Sequence, residues 1–482
     1  MRRAVAIGAV LLAGCTVGPN YQRPQLSVPG QFAEAESQTG GSDAEVATWW
    51  TGFGDPQLSD LVNRALAQNL DVETAAARIS EARAREQVAG AAAQPQVGAQ
   101  ASVTRQRISE NAIPVPPGSG GQQGGAFGLP GAEFTTWRPG IDASWEIDLF
   151  GRTRRSVEAA RARTGAATWT RRAVQVSVAA EVATTYFELR TLQARIANAQ
   201  GEMARQKRFE QIVAARVRGG LVSGQDLEQQ ASEVSAAAAA LEALQGRAEV
   251  QIHALGVLTG DTPESLIAQL AVPKALPTAP IIPAGLPSDL LRRRPDIRSA
   301  ERELAASTAD IGVAVADLYP RFSLTAAPAL VSTALGSLLA WGSRSFSVGA
   351  AVSWPLFNGG RTRGNIAVAN ARQEQALIAY RRTVLRALQD VEDSLSRTEA
   401  DREQLAAFEA ALGRSARAED IARTRYRGGL VTYSDVLAAQ ARRLSLEGQV
   451  IDTKGALARD SAGLFKAMGG GWPELTQAGG EQ

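Results

Sequence analysis

The sequence predicts an α+β protein made of two copies of one unit, each with long helices and a pair of short strands. Three observations lead there. A stretch of the first half recurs in the second at a fixed offset. Two very long stretches lack proline and are rich in helix formers. Four short segments alternate apolar and polar residues.

The chain opens with a targeting segment. Arg2 and Arg3 precede the apolar run Ala4–Ala13, which is too short to span a bilayer as a helix. Leu12-Ala13-Gly14-Cys15 then has the small residues that a lipoprotein signal peptidase requires before a cysteine. Residues 1–14 are read as the signal peptide and Cys15 as the acylated new N-terminus. The other reading is an ordinary signal peptide, but that would leave Cys15, the single cysteine, as an unpaired thiol in an exported protein. Thr16 follows, where inner-membrane retention is typically signalled by Asp, so the outer membrane is expected.

The repeat is visible by inspection. Arg216–Val222 recurs as Arg425–Val431, and at the same offset of 209 Ser144-Trp145 falls on Ser353-Trp354, Asp226 on Asp435 and Gly260 on Gly469. Upstream the offset becomes 225: Asp71 falls on Asp296, Ala89 on Ala314 and Pro95 on Pro320. The 16 extra residues of the first copy lie between Pro95 and Ser144, an interval that holds the Pro/Gly-rich loop Pro114–Gly125. The organisation is therefore an N-terminal segment over 15–57, repeat 1 over 58–260, a Pro-rich linker over 261–285, repeat 2 over 286–469 and a tail over 470–482.

Strands are expected over Gln96–Gln106, Thr136–Leu149, a segment from Arg321, and Ser345–Leu356. Val97, Ala99, Ala101 and Val103 alternate with polar residues, as do Ile141, Ala143 and Trp145, then Phe322 and Leu324, then Phe346, Val348 and Val352. The pattern alone fits either a soluble sheet covered on one side or membrane strands. No run of 18 apolar residues occurs, so a bilayer could be crossed only by strands closed into a barrel. Four strands are too few to close one. A trimer would pool twelve.

Helices are expected over Arg152–Arg218 and Arg361–Arg427, with partners over Ser223–Leu258, Thr432–Met468, Asp71–Ala93 and Pro295–Leu318. A helix of the first length runs on the order of 100 Å, which a globular core cannot cover. Gly219-Gly220 and Gly428-Gly429 end the two long helices with residues suited to a left-handed cap. Ser223-Gly224-Gln225-Asp226 and Thr432-Tyr433-Ser434-Asp435 have the form of capping boxes.

Composition narrows the function. Without Arg2 and Arg3 the chain holds 49 Lys+Arg against 49 Asp+Glu, which argues against a nucleic-acid partner. His253 is the single histidine, and no metal-ligand spacing, phosphate-binding loop or catalytic constellation is present. No enzyme activity, cofactor or metal is expected.

Several motifs together resemble the outer-membrane factor (TolC-like) family, in particular its lipoprotein branch of the OprM and NodT type, which serves RND efflux pumps. They are Cys15–Tyr21, Trp49–Leu58, Ser144–Arg152, Arg293–Glu301 and Trp354–Arg361. The resemblance covers nearly all of the chain after the signal. It implies an α+β membrane protein: a trimeric 12-stranded transmembrane β-barrel, four strands per chain, continuous with a long α-helical coiled-coil periplasmic barrel and built from two internal repeats. It implies a passive export duct for drugs or other small molecules in the cell outer membrane of a Gram-negative bacterium, a homotrimer that meets outer-membrane lipid, a periplasmic membrane-fusion adaptor and an inner-membrane RND pump. Other readings are an ABC-type I secretion exit and a lipid-anchored coiled-coil scaffold. By the same resemblance the adaptor docks at two tips, Gly219, Gly220, Leu221, Val222 and Ser223 with Gly428, Gly429, Leu430, Val431 and Thr432. Asp226, Tyr426 and Asp435 match periplasmic gate positions, with Ala438 standing where a related channel has a second acidic ring.

Overall fold

The computed structural model describes residues 16–33, 46–109, 133–280 and 287–472. The signal peptide, Cys15, the loop Pro114–Gly125 and the end of the tail lie outside the described residues.

In chain order, helices α1 (Pro56–Gln68) and α2 (Leu70–Ala91) lead into strands β1 (Gln96–Arg107) and β2 (Glu133–Ile147). Helices α3 (Arg152–Arg218) and α4 (Gly224–Leu258) follow, then the short α5 (Ile267–Leu270) and α6 (Pro287–Arg293). The second half has α7 (Pro295–Ala316), β3 (Arg321–Leu330), β4 (Arg344–Ser353), α8 (Arg361–Arg427) and α9 (Tyr433–Ala467). Both long helices have 67 residues and both return helices 35.

The chain divides into two compact units. One holds Met1–Arg23, Glu81–Thr164 and Glu303–Leu377, and the other holds Pro24–Ser80, Gly165–Arg302 and Ile378–Gln482.

In the first unit the strands form an antiparallel sheet in the order β1-β2-β3-β4. The register aligns the alternation of all four. Val97 faces Ala143, Ala99 faces Ile141 and Val103 faces Trp137. Ala143 in turn faces Ala326, Trp145 faces Leu324, and Phe322 faces Val352. One face is thus almost wholly apolar, while the other carries Gln100, Ser102, Arg138, Asp142, Ser144, Ser323, Thr325 and Ser347. The alternation was expected to carry β4 through Leu356, but the strand ends at Ser353. Pro355 has no N–H for a ladder, which stops the pairing.

Residues 16–23 belong to this unit. Val17 N–H donates to the Phe150 carbonyl at 3.2 Å. The buried guanidinium of Arg155 donates to the carbonyls of Val17 (3.2 Å) and Gly18 (3.3 Å) and to Asn20 Oδ1 (2.7 Å). Gly18 lies so close to α7 that a Cβ there would stand 2.5 Å from Gly312 Cα.

In the second unit three separate segments meet on the middle of α3. Trp49 stacks on Phe465 at 5.2 Å and Phe53 packs on Phe187 at 4.8 Å. Tyr186 donates to Asp55 Oδ2 at 2.5 Å, and Asp55 also caps α1 through the Gln57 N–H. Fully buried Arg190 donates to Gln57 Oε1 and to the Val272 carbonyl, and Gln193 donates to the Leu270 carbonyl. Trp472 sets its edge against Trp169 at 5.7 Å. Each large apolar side chain buried here stabilises the unit by roughly 1.5–3 kcal/mol relative to exposure.

Candidate functional site: the paired helix tips

The tips are built by local sequence. At Gly220 φ is +69° and at Gly429 it is +73°, the left-handed region. There Leu221 N–H reaches back to the Arg216 carbonyl and Leu430 N–H to the Arg425 carbonyl, both at 2.9 Å. This is a Schellman termination, and only the second glycine of each pair requires the absence of a Cβ. Leu221 and Leu430 are left 70% and 77% exposed at the apices, with Val222 and Val431 half-buried beside them.

The two expected capping boxes come out differently. At the second tip Asp435 Oδ2 accepts the Thr432 backbone N–H at 2.9 Å while the Thr432 side chain accepts the Asp435 N–H, which closes the box, and the Thr432 hydroxyl also donates to Asp435 Oδ2 at 2.6 Å. These bonds hold the exposed Asp435 carboxyl below its ordinary value. At the first tip no box closes: Ser223 Oγ accepts from Gln225 N–H at 3.1 Å instead. The Asp226 N–H is already taken by the Ser223 carbonyl at 3.2 Å, so the hydroxyl turns to the neighbouring donor. Asp226 is therefore not used as a cap.

The Tyr426 ring is buried, and its hydroxyl has no hydrogen-bond partner among the described residues. Tyr426 packs between the hairpins with Val213, Tyr433 and Val436. Its ring centroid lies 5.7 Å from that of Tyr433, and the Arg216 guanidinium covers it at 4.6 Å. Phe209 stacks on Tyr433 at 5.1 Å.

The polar contacts that join the hairpins come from residues outside the expected set. Tyr433 Oη donates to Gln230 Oε1, and Gln230 Nε2 donates to Gln206 Oε1 at 2.7 Å. Burial pushes the Tyr433 phenol up, helped by the charges of Glu233 and Asp226. Farther from the apex, Arg443 on α9 pairs with Glu419 of α8, Glu447 of its own helix and Glu202 of α3. Burial opposes its charge, but these carboxylates more than offset that and raise its pKa. A sequence signal existed: at the repeat offset Tyr426, Tyr433 and Arg443 stand where the first copy has Val217, Gly224 and Val234. At these three positions the copies differ, and the residues of the second copy join one hairpin to the other.

A sheet with one exposed apolar face, in one chain with helical hairpins that expose Leu221 and Leu430 at their apices, fits a membrane channel protein. The sequence matches the family model described as outer membrane efflux protein over residues 61–261 and 286–470, and the chain belongs to that family. It is 30% identical over 470 residues to the cation efflux system protein CusC of Escherichia coli O6:H1, covering 97% of this chain and 98% of that one. It is 31% identical over 475 residues to the pyoverdine export outer membrane protein OpmQ of Pseudomonas aeruginosa, covering 98% and 97%. Its fold matches the outer-membrane channel OprN with a TM-score of 0.86 at 32% identity, over 95% of this chain and 100% of that one. The protein is thus an outer-membrane efflux channel component.

Proposed function

We propose that three copies assemble into a passive exit duct, in which the four strands of each chain close a twelve-stranded outer-membrane barrel and the repeated helices form a periplasmic tube. The observation that carries this reading is the sheet of a single copy. Its apolar face is open, with Ile141 at 51% and Val348 at 79% exposure, and β1 and β4 are edge strands. Water would not tolerate that face, and lipid would not tolerate those edges. Closure with other copies removes both problems. A coiled-coil scaffold outside the membrane would leave the face bare.

The tips then serve as the docking surface for a periplasmic membrane-fusion adaptor, through Gly219–Ser223 and Gly428–Thr432, with Leu221 and Leu430 as its apolar anchors. The adaptor joins the duct to an inner-membrane RND pump, which supplies the energy. Relatives named for substrates as unlike as a cation and pyoverdine support a duct that selects little, and names in efflux support pump service over protein secretion. Asp226 and Asp435, carried three times around the axis, favour cations at the periplasmic gate, while Tyr426 acts there through packing. Cys15 carries the lipid, and the clamp of Arg155 on residues 17–20 holds the next residues at the start of α3.

Purified protein tests this directly. Unheated electrophoresis should give a trimer that heat converts to monomer, planar bilayers should show conductance, and mass spectrometry should find acylated Cys15 at the N-terminus. A detergent-stable monomer without conductance would overturn the duct. An unmodified Cys15 thiol would overturn the anchor alone.

A further inference from the structure

The apolar face of the sheet does not end in apolar residues. On β1 the parity of Val97, Ala99, Ala101 and Val103 continues into Arg105 and Arg107, paired with Thr135 and Glu133. On β4 the parity of Phe346, Val348, Ala350 and Val352 begins with Arg344, paired with Leu330. Both edge strands therefore finish in arginine on the apolar face, at the loop end of the sheet rather than the end that enters the helices.

The hairpin loop beside Arg344 is built, and it displays apolar side chains. Trp137 and Ser332 exchange backbone hydrogen bonds at 2.8 and 3.1 Å. Ser332 Oγ lies 2.8 Å from Ser337 Oγ, and Ser343 Oγ donates to the Ser337 carbonyl at 2.7 Å. On this frame Leu339 is 85% and Trp341 79% exposed. The Arg344 guanidinium lies 3.6 Å over the Trp341 ring and has no carboxylate partner among the described residues. Arg105 pairs with Glu133 at 2.9 Å, yet its side chain stays largely in solvent.

We propose that Arg105, Arg107, Arg344 and Trp341 form a binding site for the phosphate-bearing headgroup of an outer-leaflet lipid, whose acyl chains lie along Phe346 and Val348. The chemistry selects that ligand. A guanidinium presents a planar fork of donors that matches phosphate oxygens, and stacking on an indole fixes its orientation beforehand. The apolar band begins two residues from Arg344 on the same face, so headgroup and chains are served by one continuous surface. A soluble anion would use the arginines and leave Leu339, Trp341 and Phe346 bare. The proposal rests on the barrel reading. In that barrel β4 of one copy meets β1 of the next, so Arg344 and the Arg105–Arg107 pair come from different subunits, and the bound lipid ties the junction.

The test uses intact protein in neutral detergent, mixed with micelles of a diphosphorylated glucosamine lipid, with phosphatidylcholine, or with inorganic phosphate. Native mass spectrometry counts retained lipid and a heat ramp follows trimer dissociation. The phosphorylated lipid should be retained and should raise the dissociation temperature, since a ligand bound only by the assembled form stabilises it. The exposed variants Arg105→Gln and Arg344→Gln should each lower its affinity roughly fivefold, and Arg344→Lys should recover part of that loss. Equal retention of phosphatidylcholine, unchanged affinity in the double variant, or full competition by inorganic phosphate each overturns the lipid site. Insertion into phosphatidylcholine liposomes separates the two claims. Protein that inserts but shows no phosphate preference loses only the lipid site, and protein that does not insert loses the barrel as well.

Discussion

Trp145 donates its indole N–H to the carbonyl of Ala93 at 3.0 Å, and the other half of the chain repeats the bond between Trp354 and Leu318 at 2.9 Å. Each bond ties the residue after a helix to the strand, or strand end, that returns from the loop. The tryptophans stand at the repeat offset of 209 and their acceptors at 225. The loop that separates the two offsets thus lies between residues whose partnership is unchanged. Replacing Trp145 or Trp354 with Phe keeps most of the ring and removes the donor. Each should cost about 1 kcal/mol, read as a lower melting temperature. An unchanged temperature in the double variant would show that water satisfies both carbonyls equally well.

Tyr426 and Tyr433 should respond oppositely to loss of a hydroxyl. Tyr426→Phe removes a buried hydroxyl without a partner, so thermal stability should hold or rise. Tyr433→Phe strands the Gln230 amide oxygen and should cost roughly 1–3 kcal/mol. Melting of the two variants side by side checks this. Lower stability together with raised antibiotic leak in Tyr426→Phe would instead mean that the hydroxyl is bonded across subunits and latches the gate.

Asp435 predicts a pH effect of definite sign. Its carboxyl is held below its ordinary value, 3.8, by the Thr432 hydroxyl and N–H. The cap is therefore complete above that value and is lost as pH falls through the lower, folded one. Amide exchange at the start of α9 should quicken only below about pH 4, and Asp435→Asn should remove that dependence.

The two acids also separate capping from gating. Asp226 makes no cap bond, so Asp226→Asn should lower cation selectivity at little cost in stability. Asp435→Asn loosens the cap and, if that acid also faces the axis, shifts the reversal potential. A reversal potential unaltered in both variants would retire the acidic gate.

Leu221→Asp combined with Leu430→Asp should leave trimer formation intact, because both apices are exposed in the free chain. Efflux should be abolished, since a charge buried in a packed contact is costly. Normal drug resistance in the double variant would move the docking surface elsewhere.

Much of this protein was legible without a structure because its signals are local. Strand parity, the extent of α3 and α8 and the glycine stops depend on residues a few positions apart. The helix α1 was legible too, from Asp55 and Pro56 at its start, although the expected elements omitted it. The tertiary structure alone decided which of two similar turns closes a capping box, because that depends on where the Asp226 N–H finds its acceptor. It also decided that Tyr426 is buried with its hydroxyl unpartnered among the described residues, since that burial is set by Phe209, Val213 and Tyr433, which the sequence scatters over more than two hundred residues. The sequence named the residues and their faces. Only folding determined which faces meet, because side chains distant in sequence compete for the same buried space.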